Sequence, residues 1–343
     1  MPNIHQYIER DSGLVHTEPL FADRLVRLLY HPVRENAPLL FRALTGARAS
    51  SFLARLNYDL PLGTRMLGNR RFLGEAGIDF SECLDSPNRY DTPRKIFERQ
   101  IRYWDRRPLP RDEAAVVCPA DARVLVGSFD AISALFIKEK FFSYEELLGP
   151  DQPAWREAFA GGDFAVFRLT PDKYHYNHVP VSGKVVDFYE IDGAYNACNP
   201  SAVIALATPY SKNKRVVTII DTNVPGGSGV GLVAMIEVVA LMIGEVVQCY
   251  SERAYDDPTL MRPGLFLRRG QPKSLYRPGS STDVLIFQPG RVLFDKTILA
   301  NLHRRDVHSR FSLNLSSPLV ETDVRVRSLL ALPRKLTPSG EKP

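Results

Sequence analysis

Apolar positions in the first hundred residues recur at helical intervals. In LFADRLVRLLYHPV, Leu20, Phe21, Leu25, Leu28 and Leu29 repeat at helical spacing, which predicts a helix. A second is predicted over APLLFRALTGARASSFLARLNYDL, where Pro38 stands near the start, as a first turn permits. A third runs from Ile96 to Trp104. The pattern changes at Arg106-Arg107-Pro108-Leu109-Pro110. Beyond it, short β-branched runs alternate with turn residues: RVLVGSF (123–129), FAVFRLT (164–170), GKVVDFYEI (183–191), RVVTIID (215–221), the long run 230–250 and TDVLIFQ (282–288). Such residues at a period of two suit a pleated, half-buried surface. The expected fold class is α+β. A β-rich catalytic domain spans 111–330, an N-terminal helical accessory segment covers 1–110, and a polar tail, 331–343, is expected to be flexible.

Composition narrows the class. Hydrophobic residues make up 44% of the chain and charged residues 24%, as in ordinary globular proteins. No window reaches the roughly 18 uncharged apolar residues of a membrane span; the nearest, 230–250, holds Glu237 and Glu245. MPNIHQYIER has no signal-peptide character. A soluble cytoplasmic protein, at most peripheral on a membrane, is expected. Cys83, Cys118, Cys198 and Cys249 form no CxxC pair and sit in or beside apolar runs, which predicts buried free thiols. A net charge of +5 suits an anionic lipid surface or an acidic substrate. Nucleic acid is not expected as a partner, because no helix-turn-helix, zinc-finger or RNA-binding aromatic motif is present. Gly226-Gly227-Ser228-Gly229 lacks the spacing of a phosphate cradle and is taken as a turn.

Three segments carry candidate chemistry. Two histidines fall together in Tyr174-His175-Tyr176-Asn177-His178-Val179-Pro180, and the spacing and missing glutamate exclude a zinc HExxH helix. No metal site is expected. Asp121 follows Pro119-Ala120 and precedes a strand, where a carboxylate either orients a histidine or caps a turn. Gly279-Ser280-Ser281-Thr282 leads into the apolar strand VLIF, and alone reads as a loop.

Taken in order, these segments resemble the phosphatidylserine decarboxylase family over roughly residues 90–325. Pro119-Ala120-Asp121 is similar to the family's P-x-D-G, FSYEELLG (142–149) to its FSLEELLG, YHYNHVPVSG to its YHRxHxPxxG, and GSST to its LGST or GGST. Ile137-Lys138, NKRVV (213–217) and ALMIG (240–244) also match. The resemblance implies a pyruvoyl-dependent decarboxylase that cuts itself between Ser280 and Ser281. It makes Ser281 the nucleophile and precursor of the pyruvoyl group, His178 its base, Asp121 the orienting carboxylate and His175 the group that serves decarboxylation. The implied substrate is phosphatidylserine, with a free amino acid as the alternative and an uncleaved lipid- or ligand-binding protein as another. The chain departs from the pattern in having Ser280 for the family's glycine, Ala122 after Asp121, and RRGQPKSLYRP in place of KGxExG. Cleavage between Gly279 and Ser280 is the minor alternative. Arg24, Arg27, Arg42 and Arg55 either form the solvated face of an accessory helical layer or face lipid headgroups; if the substrate is a lipid, these helices, with Leu25, Leu28 and Leu29, are expected to touch the membrane surface. The oligomeric state stays open between monomer and homodimer.

Overall fold

Strands form where the alternation is cleanest. The computed structural model describes residues 4–20, 23–60, 77–129, 144–205, 209–241, 245–278, 281–312 and 318–334; side chains at 24, 25, 32 and 144 fall outside that set. In chain order the strands are β1 (Gln6–Glu9), β2 (Val15–Thr17), β3 (Val116–Val117), β4 (Ala122–Ser128), β5 (Asp163–Leu169), β6 (Tyr176–His178), β7 (Gly183–Ile191), β8 (Arg215–Asp221), β9 (Leu232–Val238), β10 (Val246–Gln248), β11 (Phe266–Leu267), β12 (Pro272–Tyr276), β13 (Ser281–Phe287), β14 (Val292–Phe294), β15 (Thr322–Val324) and β16 (Leu329–Pro333). Mixed helix and strand, with strands somewhat dominant, agrees with α+β.

Ten strands make one sheet in the order β11-β7-β8-β9-β13-β5-β4-β15-β1-β2. β13 lies in its middle, antiparallel to β9 and β5, and every residue of it is buried. Two small sheets, β10-β12-β6 and β14-β16-β3, complete the fold. The first brings the histidine segment onto β12, with Pro272 opposite His178 and Leu275 opposite Tyr176. β12, which pairs with the histidine strand β6, is followed in the chain by β13, which Ser281 opens.

The helical predictions are cut into pieces. The second becomes Pro38–Leu44 and Ala47–Tyr58, because Gly46 takes an extended N-cap conformation between them. Most of the third, 96–104, is not helical: Pro93–Phe97 and Tyr103–Arg106 flank a stretch where Ile101 bridges Cys83. The residues read as an N-terminal helical segment also supply two strands, since β1 runs parallel to β15 and pairs with β2. β16 reaches Pro333, and the rest of the polar tail, 335–343, lies outside the described residues. Cys83, Cys118 and Cys198 are buried free thiols, and Cys249 is free and half-buried. Among the described residues no helix is long and apolar enough to cross a membrane.

Candidate active site

Ser281 opens β13 opposite Leu169 and is wholly buried. Its Oγ has no hydrogen-bond partner among the described residues, which is costly for a buried hydroxyl. Gly279, Ser280, 137–138, 142–143 and 242–244 lie outside the described residues. Thr282 donates to Cys198 Sγ at 3.2 Å, and burial pushes that thiol up to about 12. Tyr276 links the two strands: its amide donates to the His175 carbonyl (3.1 Å), and its hydroxyl lies 3.0 Å from the Thr282 carbonyl and 2.7 Å from Asp283 Oδ1.

His178 is clamped on three sides. Its amide donates to the Pro119 carbonyl (2.7 Å), which ties the histidine segment to the turn carrying Asp121. Nδ1 meets the Gly270 carbonyl at 2.9 Å and Nε2 the Tyr174 hydroxyl at 2.9 Å. Gly270 sits at φ +78°, a region costly for side-chain-bearing residues, so glycine suits the turn that aims this carbonyl. Burial dominates the basicity of His178. The Gly270 carbonyl and Asp121 favour the charged ring, Arg327 and Arg107 oppose it, and the pKa falls to about 3.

Asp121 accepts 3.2 and 2.9 Å bonds from Arg107 and a 2.7 Å bond from the Val326 amide. Burial alone would raise its carboxyl; Arg107 and the amide outweigh it and hold the pKa down. Arg107 also grips Glu82 at 2.9 and 2.8 Å. Asp121 is near enough to bias both imidazoles, but no hydrogen bond joins it to His178 or His178 to Ser281. His175 stacks on Phe97 with centroids 3.4 Å apart, and neither ring nitrogen has a partner in hydrogen-bonding geometry. Burial first, then Arg99, lowers its pKa well below the usual imidazole range, against the Lys173 carbonyl and Asp121. The fold thus buries a hydroxyl without a partner among the described residues, two imidazoles of lowered basicity and a carboxyl of lowered pKa, the group types of serine activation and proton transfer.

A profile of the phosphatidylserine decarboxylase family matches residues 94–304, more than half of the chain. The chain belongs to the phosphatidylserine decarboxylase family. It is 30% identical over 277 residues to the phosphatidylserine decarboxylase proenzyme of Bordetella petrii, covering 77% of this chain and 85% of that one. The proenzyme of Fusobacterium nucleatum is 26% identical over 301 residues, with 88% and 93% covered. That of Chlamydia trachomatis is 30% identical over 294 residues, with 85% and 90% covered. The protein is thus an enzyme of a carboxy-lyase family.

In this phosphatidylserine decarboxylase relative, sequence reasoning missed most of the groups around the site. Arg107 lay in the stretch read as a boundary, and nothing local marked it as the partner of Asp121. Glu237 served only to break an apolar run. It faces Asp283 across β9 and β13, and bonds Lys273 at 2.6 Å, Gln248 at 3.0 Å and Ser274. Burial, then Glu237 opposite, raises the Asp283 carboxyl well above its usual range. Tyr174 was visible as part of the histidine motif, but its role was not.

Proposed function

We propose that the protein decarboxylates phosphatidylserine to phosphatidylethanolamine after cutting itself before Ser281. The carrying observation is the buried Oγ of Ser281, without a partner among the described residues, at the head of a central strand. In maturation Ser281 Oγ gives its proton to a base and attacks the Ser280 carbonyl, turning the amide into an ester. Loss of the Ser281 Cα proton expels the Ser280 carboxylate and the chain 1–280; water then replaces the nitrogen as ammonia. The pyruvoyl ketone so formed supplies an electron sink for the carbon that loses carbon dioxide. An unpartnered side chain at position 281 fits that precursor. In the primary assignment His178 is the base, Asp121 holds the local field, and His175 returns a proton to the decarboxylated carbon. The nitrogens of His178 are both occupied, while those of His175 have no partner in hydrogen-bonding geometry among the described residues, which favours a second assignment with the two roles exchanged.

Denaturing mass spectrometry, with and without borohydride, tests the cut. The expected products are 1–280 and a short chain whose first residue gains the mass of a reduced ketone. Ser281→Ala should leave one chain, and Ser280→Ala should still split. Cleavage in Ser281→Ala, or its loss only in Ser280→Ala, would move or remove the site. His178→Ala should block maturation while His175→Ala matures and loses about 10²–10⁴-fold in decarboxylation; the reverse pattern establishes the second assignment.

A lipid substrate requires contact with a membrane surface. Leu28, Leu39, Leu40 and Phe52 are exposed on the N-terminal helices, at 53%, 79%, 51% and 64%, among exposed Arg27, Arg42, Arg48 and Arg55. Leu29 packs inward beside Tyr30, while the side chains of Arg24 and Leu25 lie outside the described residues. Each arginine near an anionic surface contributes about 1 kcal/mol. Sedimentation with phosphatidylserine vesicles should therefore show binding at low salt that fails as salt rises. No binding at low salt, with carbon dioxide released from a free amino acid, would transfer the function to a soluble substrate.

A further inference from the structure

Tyr255, Tyr174 and His178 stand in one hydrogen-bonded row. The Gly270 carbonyl only accepts, so Nδ1 of His178 carries a proton. In the neutral ring Nε2 is then an acceptor, and the Tyr174 hydroxyl 2.9 Å away donates to it. With that proton spent, the 2.7 Å approach of the Tyr174 and Tyr255 oxygens is a hydrogen bond only if Tyr255 donates. The Ile101 carbonyl, 2.8 Å from the Tyr255 oxygen, does without that proton because the Tyr103 amide donates to it at 2.8 Å. The Ile101 amide donates to the Tyr255 oxygen at 3.1 Å. Adding a proton at Nε2 reverses the row: Nε2 donates to Tyr174, Tyr174 to Tyr255 and Tyr255 to the Ile101 carbonyl. Both arrangements satisfy every member without displacing a heavy atom. Tyr174 and His178 are fully buried, and Tyr255 is the partly exposed member.

We propose that Tyr174 and Tyr255 are a proton relay between His178 and solvent. The relay rests on the reading that His178 gains or gives a proton in this site. The Nε2 proton passes to the Tyr174 oxygen as the Tyr174 proton passes to Tyr255, whose own proton turns from the Ile101 carbonyl and leaves to water; charge and atoms balance, and no phenolate is left. The other groups facing the ring are Asp121, Arg107, Arg327 and the edge-on ring of Tyr103 at 4.8 Å. None of them bonds a ring nitrogen, so among the described residues the hydrogen-bonded path leads through the two phenols. Burial raises both phenol pKa values, which disfavours a trapped phenolate and favours transfer along the row in concert.

Tyr255→Phe keeps the ring and removes the link. Maturation and decarboxylation of phosphatidylserine vesicles are measured in mixtures of light and heavy water, for wild type, Tyr255→Phe, Tyr174→Phe and His178→Ala. Tyr255→Phe should slow whichever step His178→Ala abolishes, by about tenfold, a fraction of what one acid–base group supplies. KM should not change, and the curved dependence of that rate on deuterium fraction, the mark of several moving protons, should become linear. Tyr174→Phe should do the same or more. If either variant keeps the wild-type rate, or is slowed with its curvature intact, the phenols only pack. If His178→Ala leaves both steps unchanged, the reading of His178 itself fails, whatever the tyrosine variants do.

Discussion

His175 and His178 bind a proton in the unfolded chain near their ordinary value of about 6.5. In the fold His178 does so only at about pH 3, and His175 also well below its usual range. Between those limits the unfolded state takes up more protons than the native one. Stability present at neutral pH is therefore lost as pH falls, approaching about 1.4 kcal/mol per pH unit for each ring. Denaturant midpoints should drop from pH 6.5 to 5, before the depressed carboxyls of Asp121, Glu18 and Glu321 contribute. His178→Gln should remove about one proton from that slope; an unaltered slope would mean that the ring is not buried neutral. The two histidines and Asp121 stood out as candidates because their residue types fall in a distinctive order. Their partners were not: the carbonyl fixing His178 comes from Gly270, 92 residues away, and Arg107 reaches Asp121 from a proline-flanked break.

Among the elements, the long strands of the main sheet were read well, and the short strands and the helices poorly. Residues 183–191 and 215–221 coincide with β7 and β8 because alternation imposed by a sheet is visible locally. The helical stretch after Pro38 concealed its break, since Gly46 matters there as an N-cap and not as a gap in the apolar pattern. Nor could periodicity show that the acids inside β9 and β13 face each other. Lys273 on β12 answers them, with no exposure of either its side chain or that of Glu237. Lys273→Met should leave Glu237 buried without its cation and cost roughly 3–5 kcal/mol. Adding Glu237→Gln should recover part of the loss in urea unfolding. A Lys273→Met variant as stable as wild type would show that the buried pair contributes nothing net to the fold.

The whole molecule is closed at its ends by charge. Arg168 donates to Glu18 at 2.9 and 2.6 Å and to Glu321 at 2.9 and 2.6 Å; His5 Nε2 meets Glu321 at 2.8 Å. The Arg310 amide donates to His5 Nδ1, so Nε2 holds the ring's proton. The carboxylates and imidazole lie close enough together to resemble a metal site, but the guanidinium already supplies a cation. Nothing in the sequence paired position 5 with position 321, so β1 and β2 went unforeseen. The placement of β13 has a further effect. The proposed cut would free a chain end inside the sheet, with β9 on one side and β5 on the other. The fragment beginning at Ser281 would then be interleaved with the larger one, and could not be released without opening both seams. A nicked molecule of this kind should melt in one step, and isotopically labelled short fragments should not exchange between native molecules over days. Exchange without unfolding would require β13 to lie at an edge. Interleaving would make the reactive group a permanent fitting of the molecule that made it: lost with that molecule, and replaced only by synthesising another.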